Sequence, residues 1–143
     1  NSGPYGPIGS PGAADSALTV GAVDKNDDMA SFSSRGLRLK NYAVKPNIVA
    51  PGVGIVAPRA GGTSMAGNAQ VIDDYYMGAS GTSMATPVVA GAAALVAQAR
   101  PGLRGEQLKN ALTSTAADTG HPVTDQGTGR VDVARAAAQG VYA

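Results

Sequence analysis

Residues 81–100 read GTSMATPVVAGAAALVAQAR and contain the clearest secondary-structure signal in the chain. Residues 86–100 are almost all apolar, which favours a helix, and the proline at position 101 followed by glycine ends it. A helix that is apolar on nearly every face is expected to lie buried at the centre of a domain. We therefore predict a buried central helix here, entered through a short turn at Gly81.

Several shorter patterns surround this helix. Apolar runs bounded by turn residues predict strands, and a helical spacing of apolar residues predicts helices. The predicted buried strands lie within residues 17–23, 46–52 and 54–57, and residues 73–80 can carry one more short strand. Residues 105–116 predict an amphipathic surface helix and residues 130–140 a last short helix, whereas residues 1–16 and 118–129 are rich in glycine, proline and polar residues and predict loops. This order indicates an α/β fold with a mainly parallel sheet.

The composition excludes several classes of protein. A chain of 143 residues with 43% hydrophobic residues is the size of one domain with a core of its own. A net charge of +1 without a Lys/Arg cluster argues against nucleic acid or an anionic membrane as partner. The absence of cysteine removes disulfides, thiolate metal sites and a cysteine nucleophile. No apolar run predicts a membrane span.

The string GTSMA occurs twice, around Ser64 and around Ser83. A serine hydroxyl is a weak nucleophile that needs a base, a rigid exposed mount and donors for the oxyanion formed on attack. Ser83 precedes the long helix, whose first backbone N–H groups are free to bind negative charge, and Thr82 can cap that helix while Gly81 permits close backbone approach. The copy around Ser64 continues GNAQ and has no helix to hold it. We therefore select Ser83 as the candidate nucleophile and interpret Ser64 as a loop serine.

With these residues in view, the stretch GTSMATPVVAG (81–91) resembles the nucleophile segment of the subtilisin-like serine peptidases. The resemblance covers most of the chain. Further similar strings occur in the family's order: LTVGAVD, FSSRG and KPNIVAPG upstream, and LKNALTSTA and GTGRVDVARA downstream. It implies a three-layer subtilisin-like α/β sandwich with a mainly parallel sheet, of which residues 1–143 would be the C-terminal portion.

The resemblance also implies roles for individual residues. Ser83 would be the nucleophile, and Asn1 would donate its side-chain amide to the oxyanion together with the Ser83 backbone N–H. Gly9 and Ser10, in GSPG (9–12), fall where the family builds part of its S1 pocket, and we group Gly81 with them as a substrate-binding position. Structural alternatives stay open, because Asn before Ser-Gly is common in turns and GSPG can be an ordinary Gly-Pro turn.

The sequence offers no convincing base for Ser83. Its only histidine, His121, follows Ser83, whereas the family's triad runs Asp, His, Ser, and we interpret it as an exposed loop histidine. Asp73 and Asp74 are interpreted as a solvated loop edge. We expect the triad Asp and His to come from a preceding segment, the N-terminal part of the same catalytic domain, that was cleaved away, disordered or left out of this numbering.

These observations leave two candidate functions, one of an enzyme and one of a non-catalytic module. The first is a serine endopeptidase that acts on polypeptides through an acyl-enzyme on Ser83, with this chain inactive by itself. The second is a catalytically inactive, protease-like module for binding or assembly. The resemblance implies secretion, no cofactor for the chemistry and room for a structural calcium ion. The acidic string DKNDD (24–28) lacks the features of an EF-hand loop and is interpreted as a solvated turn.

Overall fold

A computed structural model describes residues 1–38, 41–62 and 69–140. Five strands and four helices follow one another along these residues. The strands are β1 (Val20–Val23), β2 (Ile48–Pro51), β3 (Ile55–Pro58), β4 (Gln70–Val71) and β5 (Tyr76–Ala79), and the helices are α1 (Thr82–Ala99), α2 (Gly105–Ser114), α3 (Val123–Gln126) and α4 (Val133–Ala138).

The core lies between a parallel strand pair and α1. Strands β1 and β2 run parallel, with Val20 opposite Ile48 and Val23 opposite Pro51. Both strands pack against α1, which also contacts α2 and α4. Small aliphatic side chains dominate this core, so the helix and strands approach closely. The buried set includes Ala22, Val23, Ile48, Val49, Ala50, Ala85, Val89, Ala92, Val96 and Leu112.

The prediction of a central helix is confirmed, but the prediction that it is buried on nearly every face is wrong for this chain. Only Ala85, Val89, Ala92 and Val96 are buried within α1. The opposite face is exposed, and Leu95 on it is 54% accessible. The reason is geometric, because the sheet and the other described helices cover one side of α1 only.

Helix α1 is long and apolar enough to meet a length-and-composition test for a membrane span, contrary to our expectation that no segment would. It is the one such helix among the described residues. Its buried face packs against β1 and β2, as the core helix of a folded domain does.

A second, antiparallel sheet lies outside the parallel pair and was not predicted. Strand β5 forms its centre, with β3 on one side and β4 on the other. The predictions of strands at residues 54–57 and 73–80 are confirmed, but the former was wrong about burial, since Val56 is 56% exposed. Within the described residues, strand β3 pairs with β5, and Val56, Ala57 and Pro58 of this strand are exposed.

The C-terminal part also follows the predicted order with one correction. Helix α2 is amphipathic, with Ala111 and Leu112 buried. Asp132 caps the N-terminus of α4, because its side chain accepts a hydrogen bond from the Arg135 backbone N–H. The predicted loop at residues 118–129 contains the one-turn helix α3. The buried Gln126 accounts for this turn, because its side chain hydrogen-bonds Asp118, Thr119 and the His121 carbonyl. The α/β fold class is confirmed.

Candidate active site

Ser83 lies in the first turn of α1 with an exposed side chain. The chain enters this turn from β5 through Ser80 and Gly81. A backbone hydrogen bond of 2.8 Å from the Gly81 N–H to the Gly52 carbonyl ties the turn to the end of β2. This approach requires a glycine at position 52, since a Cβ there would lie 2.8 Å from the Gly81 carbonyl oxygen. The Ser83 N–H makes no hydrogen bond within the described part of the chain.

Asn1 is attached to the same turn. Its Oδ1 accepts hydrogen bonds from the Thr82 backbone N–H at 2.8 Å and from the Thr82 Oγ1 at 2.9 Å. The expectation that Thr82 would cap α1 is therefore wrong. The Thr82 hydroxyl donates to Asn1 Oδ1 and accepts no hydrogen bond from the helix. The same Asn1 oxygen accepts from the Thr82 backbone N–H, one of the free N–H groups of the first turn. The Asn1 amide nitrogen has no hydrogen-bond partner among the described residues and remains available as a donor.

Ser83 and Asn1 open onto one cavity of ≈ 690 Å³. Gly9 and Ser10 also line it, so three of the four predicted partners of Ser83 lie around the same space. The fourth, Gly81, is buried beneath the turn and is absent from the lining. Its carbonyl accepts hydrogen bonds from the Met84 and Ala85 N–H groups. We therefore assign Gly81 to holding the turn and not to the cavity wall.

The cavity wall opposite the turn is the loop from Gly9 to Thr19. Residues Gly12, Ala17, Leu18 and Thr19 line the cavity together with the Gly9–Pro11 segment. Within the loop, the Ala13 N–H donates to the Gly9 carbonyl at 3.0 Å, and the Thr19 hydroxyl donates to the Gly12 carbonyl. The wall is therefore a compact turn built largely from backbone.

Three basic side chains hold this wall from outside the cavity. Lys45 Nζ donates to the carbonyls of Ala14 and Ala17, Lys109 Nζ donates to those of Asp15 and Ala17, and Arg38 donates to that of Ala13. Burial lowers the pKa of the Lys45 ammonium, the nearby charges of Lys109 and Arg38 lower it further, and Asp15 opposes them. This role of Lys45 was not predicted, because nothing in the local sequence marks a lysine between apolar segments as buried.

The surroundings of Ser83 in the described part of the chain lack an acid or base side chain. Within the described ranges, the cavity lining contains no His, Asp or Glu. His121 is partly buried, contrary to the expectation of an exposed ring, and its Nε2 lies 3.2 Å from the Asp27 carbonyl oxygen. Asp73 and Asp74 are exposed, and Asp73 accepts hydrogen bonds from two backbone N–H groups of its own turn. Ser64 lies outside the described residues.

Two of the three carboxylates in the acidic string at residues 24–28 are engaged in local contacts. Asp24 Oδ1 accepts hydrogen bonds from the backbone N–H groups of Asn26 and Asp28, and Asp27 pairs with Arg130 at 2.7 Å. These contacts agree with the interpretation of the string as a turn. No group of three His, Asp or Glu side chains suited to a metal ion occurs in the described part of the chain.

A serine on a helix-entry turn, beside an amide donor and a cavity, has the rigid mount and the donors that a nucleophilic serine needs, and the base that it also needs is absent from the described lining. The family model described as the subtilase family matches residues 1–131. The chain belongs to the subtilase family. It is 41% identical over 122 residues to the serine protease AprX of Bacillus subtilis (strain 168), and 40% identical over 120 residues to subtilisin DY of Bacillus licheniformis. It is also 37% identical over 127 residues to the halolysin-like extracellular serine protease Nep of Natrialba magadii.

Solved structures show the same similarity. The fold matches a protease of Pseudoalteromonas arctica PAMC 21717 with a TM-score of 0.73 at 30% identity, and the self-cleaved protease domain of PatA with a TM-score of 0.65 at 29% identity. These matches cover 90% and 89% of this chain, but 37% and 42% of the other chains. The alignments with AprX, subtilisin DY and Nep cover 78%, 84% and 89% of this chain and 27%, 37% and 20% of those relatives. The chain thus spans well under half of the proteins it matches.

Proposed function

We propose that this chain supplies the nucleophile half of a secreted serine endopeptidase, with Ser83 as the nucleophile. The observation that carries the proposal is the position of Ser83, exposed in the first turn of α1 and lining a cavity together with Asn1. Membership of the subtilase family and the names of the serine-protease relatives support the reaction class. The extracellular relative Nep supports secretion.

The proposed reaction begins with attack of Ser83 Oγ on the carbonyl carbon of a peptide bond. A base takes the hydroxyl proton as the Oγ–C bond forms, and the carbonyl oxygen becomes an oxyanion. The Asn1 amide and the Ser83 N–H donate to that oxyanion, which is stabilised more than the neutral carbonyl. The C–N bond then breaks, the amine leaves with the proton, and water hydrolyses the acyl-enzyme. In this proposal the wall at Gly9 and Ser10 receives a substrate side chain.

In this proposal, the base that takes the Ser83 hydroxyl proton comes from a part of the protein outside the described residues. His121 is committed to the Asp27 carbonyl and does not line the cavity, so it is not positioned to serve Ser83. The Asp and His of the family's triad would complete the site from the N-terminal part of the catalytic domain. Polypeptides are the proposed substrates, and the chemistry needs no cofactor.

Covalent labelling with a fluorophosphonate probe tests the proposal, because such probes report an activated serine and not the motif alone. Labelling is measured on the 143-residue chain and on a longer protein that includes a segment with the family's Asp and His. Peptide mass spectrometry then locates the modified residue. We expect modification at Ser83 in the longer protein, none in the chain alone, and none in the Ser83→Ala variant. The Ser64→Ala variant is the matched control and should label as the unmodified protein does.

The second candidate is a catalytically inactive module for binding or assembly. The observation that favours it is the lack of any acid or base side chain in the described cavity lining. Folded, unlabelled longer protein would support this candidate and overturn the peptidase proposal. Labelling at Ser64 would overturn the choice of nucleophile.

A further inference from the structure

The ammonium group of Lys45 is enclosed by oxygen atoms behind the cavity wall. Lys45 is only 3% exposed, and four oxygens lie within hydrogen-bonding distance of its Nζ and share its three N–H donors. Two are the carbonyls of Ala14 and Ala17, at 3.1 and 2.9 Å. The others are Thr19 Oγ1 and Asn47 Oδ1, each at 2.9 Å.

All four acceptors are neutral. Arg38 nearby forms a salt bridge to Asp15 at 2.5 Å, whereas Lys45 makes no salt bridge within the described residues. A buried charge that forms no salt bridge is costly unless its hydrogen-bonding capacity is filled. The four contacts fill it, so the arrangement depends on the loop carbonyls staying where they are.

The acceptors connect the wall to the end of the core. Three of them, from Ala14, Ala17 and Thr19, belong to the loop that forms the wall. Asn47 immediately precedes β2, and its Oδ1 also accepts a hydrogen bond from the Thr19 N–H at 2.9 Å. Ala17 and Thr19 line the cavity, whereas Lys45 does not. Lys45 thus holds the wall from the side that a substrate cannot reach.

We propose that Lys45 is a positioning residue that fixes the 12–19 wall of the Ser83 cavity and thereby determines how well a substrate side chain fits. The kinetic part of this inference rests on the function proposed above. Removing the ammonium frees the carbonyls of Ala14 and Ala17 to turn towards water, and the wall loosens. The turn that carries Ser83 is held separately, through Gly52 and Asn1, and should keep its geometry.

The Lys45→Met variant tests the anchoring directly, because methionine keeps the apolar stem and removes every donor. Hydrogen exchange of the backbone amides is measured in the unmodified protein and the variant, independently of any activity. We expect amides of residues 12–20 to exchange at least about tenfold faster, while amides of α1 keep their protection, as for a local opening. Lys25→Met is the matched control, because Lys25 is exposed and makes no contact with the wall. Its exchange pattern should not change.

Kinetics of the longer, active protein test the consequence for substrates. Lys45→Met should raise KM for peptides about tenfold or more with kcat changed less than about threefold, since binding to the wall weakens and the reacting groups stay in place. The rate of fluorophosphonate labelling at Ser83 should also stay within about threefold. A general loss of structure would instead lower labelling and kcat together.

The outcomes are separable. Unchanged exchange at residues 12–20 in folded Lys45→Met overturns the anchoring, and unchanged KM overturns the effect on substrates. If the unmodified protein is neither labelled nor active, the proposed function fails, and hydrogen exchange still decides the anchoring. If Lys45→Met does not fold, Lys45→Gln takes its place in the exchange experiment. It replaces the ammonium by a shorter, neutral amide with fewer donors and should accelerate exchange in the same segment to a smaller extent.

Discussion

At the scale of single residues, the Asn1 amide has two separate hydrogen-bonding groups with two separate tasks. Its oxygen is already used, since it accepts both hydrogen bonds from Thr82. That contact fixes the plane of the amide and leaves the nitrogen as the proposed donor to the oxyanion. Substitutions can therefore remove the donor while keeping the acceptor.

We predict that Asn1→Asp lowers kcat of the active protein by about 10²–10³, a range carried over from the removal of an oxyanion donor in subtilisin. The carboxylate still accepts from Thr82 but no longer donates, and its charge opposes the oxyanion. Steady-state kinetics on a peptide measure the effect. Thr82→Val is the matched control, because it loses one contact to Asn1 and leaves the donor in place, so its loss should be much smaller. An Asn1→Asp enzyme with near-normal kcat would exclude Asn1 from the oxyanion site.

Gly52 permits the close approach that holds the Ser83 turn. A Cβ at this position would lie 2.8 Å from both the Gly81 carbonyl oxygen and the Ala22 Cβ. We predict that Gly52→Ala lowers the free energy of unfolding by about 1–3 kcal/mol, a typical cost of overpacking, and slows probe labelling at Ser83 in the active protein. Denaturant unfolding and labelling rates measure the two effects.

Gly91→Ala is the control for this substitution. Gly91 lies within α1, and no atom is within 4 Å of an added Cβ. Alanine favours helices, so Gly91→Ala should raise the free energy of unfolding by about 0.5–1 kcal/mol and leave labelling unchanged. Equal stability of the two variants would show that the contact at Gly52 is not tight.

Some residues of the site could be predicted because their signal is local in the sequence, whereas others could not because their role depends on distant contacts. Ser83 and Asn1 were found because short strings around them carry the signal. Gly52 and Lys45 were missed because each acts through contacts with residues distant in the sequence. The glycine in PNIVAPG (46–52) was visible, but its need to approach Gly81 depends on how β2 and α1 pack.

At the scale of elements, the carboxylate of Asp118 contributes two hydrogen bonds to the turn around α3. Asp118 Oδ1 accepts hydrogen bonds from Gln126 Nε2 at 2.7 Å and from the Gly120 N–H at 2.9 Å. These two donors, Gln126 first, lower the pKa of Asp118 below its usual 3.8. The ionised carboxylate is therefore favoured more in the folded state than in the unfolded chain.

This shift fixes the sign of a pH effect. The stabilisation by Asp118 is fully present above the unfolded pKa near 3.8 and is lost as pH falls through the lower folded-state pKa. We predict that the unmodified chain is more stable than Asp118→Asn at neutral pH and that the difference shrinks in acid below pH 3.8. Chemical unfolding across this range measures it. A difference independent of pH would show that Asp118 contributes through hydrogen bonding alone.

The apolar pattern of the sequence predicted some helices and strands correctly and others not. Apolar runs predicted β1, β2 and α1, because burial against one another requires those runs. The same type of apolar run led to a wrong prediction of burial at β3, whose apolar residues belong to an antiparallel sheet with accessible faces. Helix α3 was missed because the buried Gln126 that holds it is polar, and nothing in the local sequence marks it as buried.

At the scale of the whole molecule, the exposed face of α1 is the largest departure from expectation. The helix was predicted to be buried, and half of its surface is accessible in this chain. A chain that spans 27% to 37% of AprX and subtilisin DY leaves more than half of each relative unmatched. An apolar helix face without cover favours association in water.

We therefore predict that the 143-residue chain by itself self-associates or is poorly soluble. Leu95, which is 54% exposed on the open face of α1, should contribute directly. Sedimentation velocity over a wide range of concentrations should show larger species, and Leu95→Gln should shift them towards the monomer, because it removes apolar surface while keeping a good helix former. Val123→Gln is the matched control, since Val123 is 57% exposed on α3 and away from that face. A monodisperse, cooperatively melting monomer would contradict the prediction and show that the face is tolerated in water.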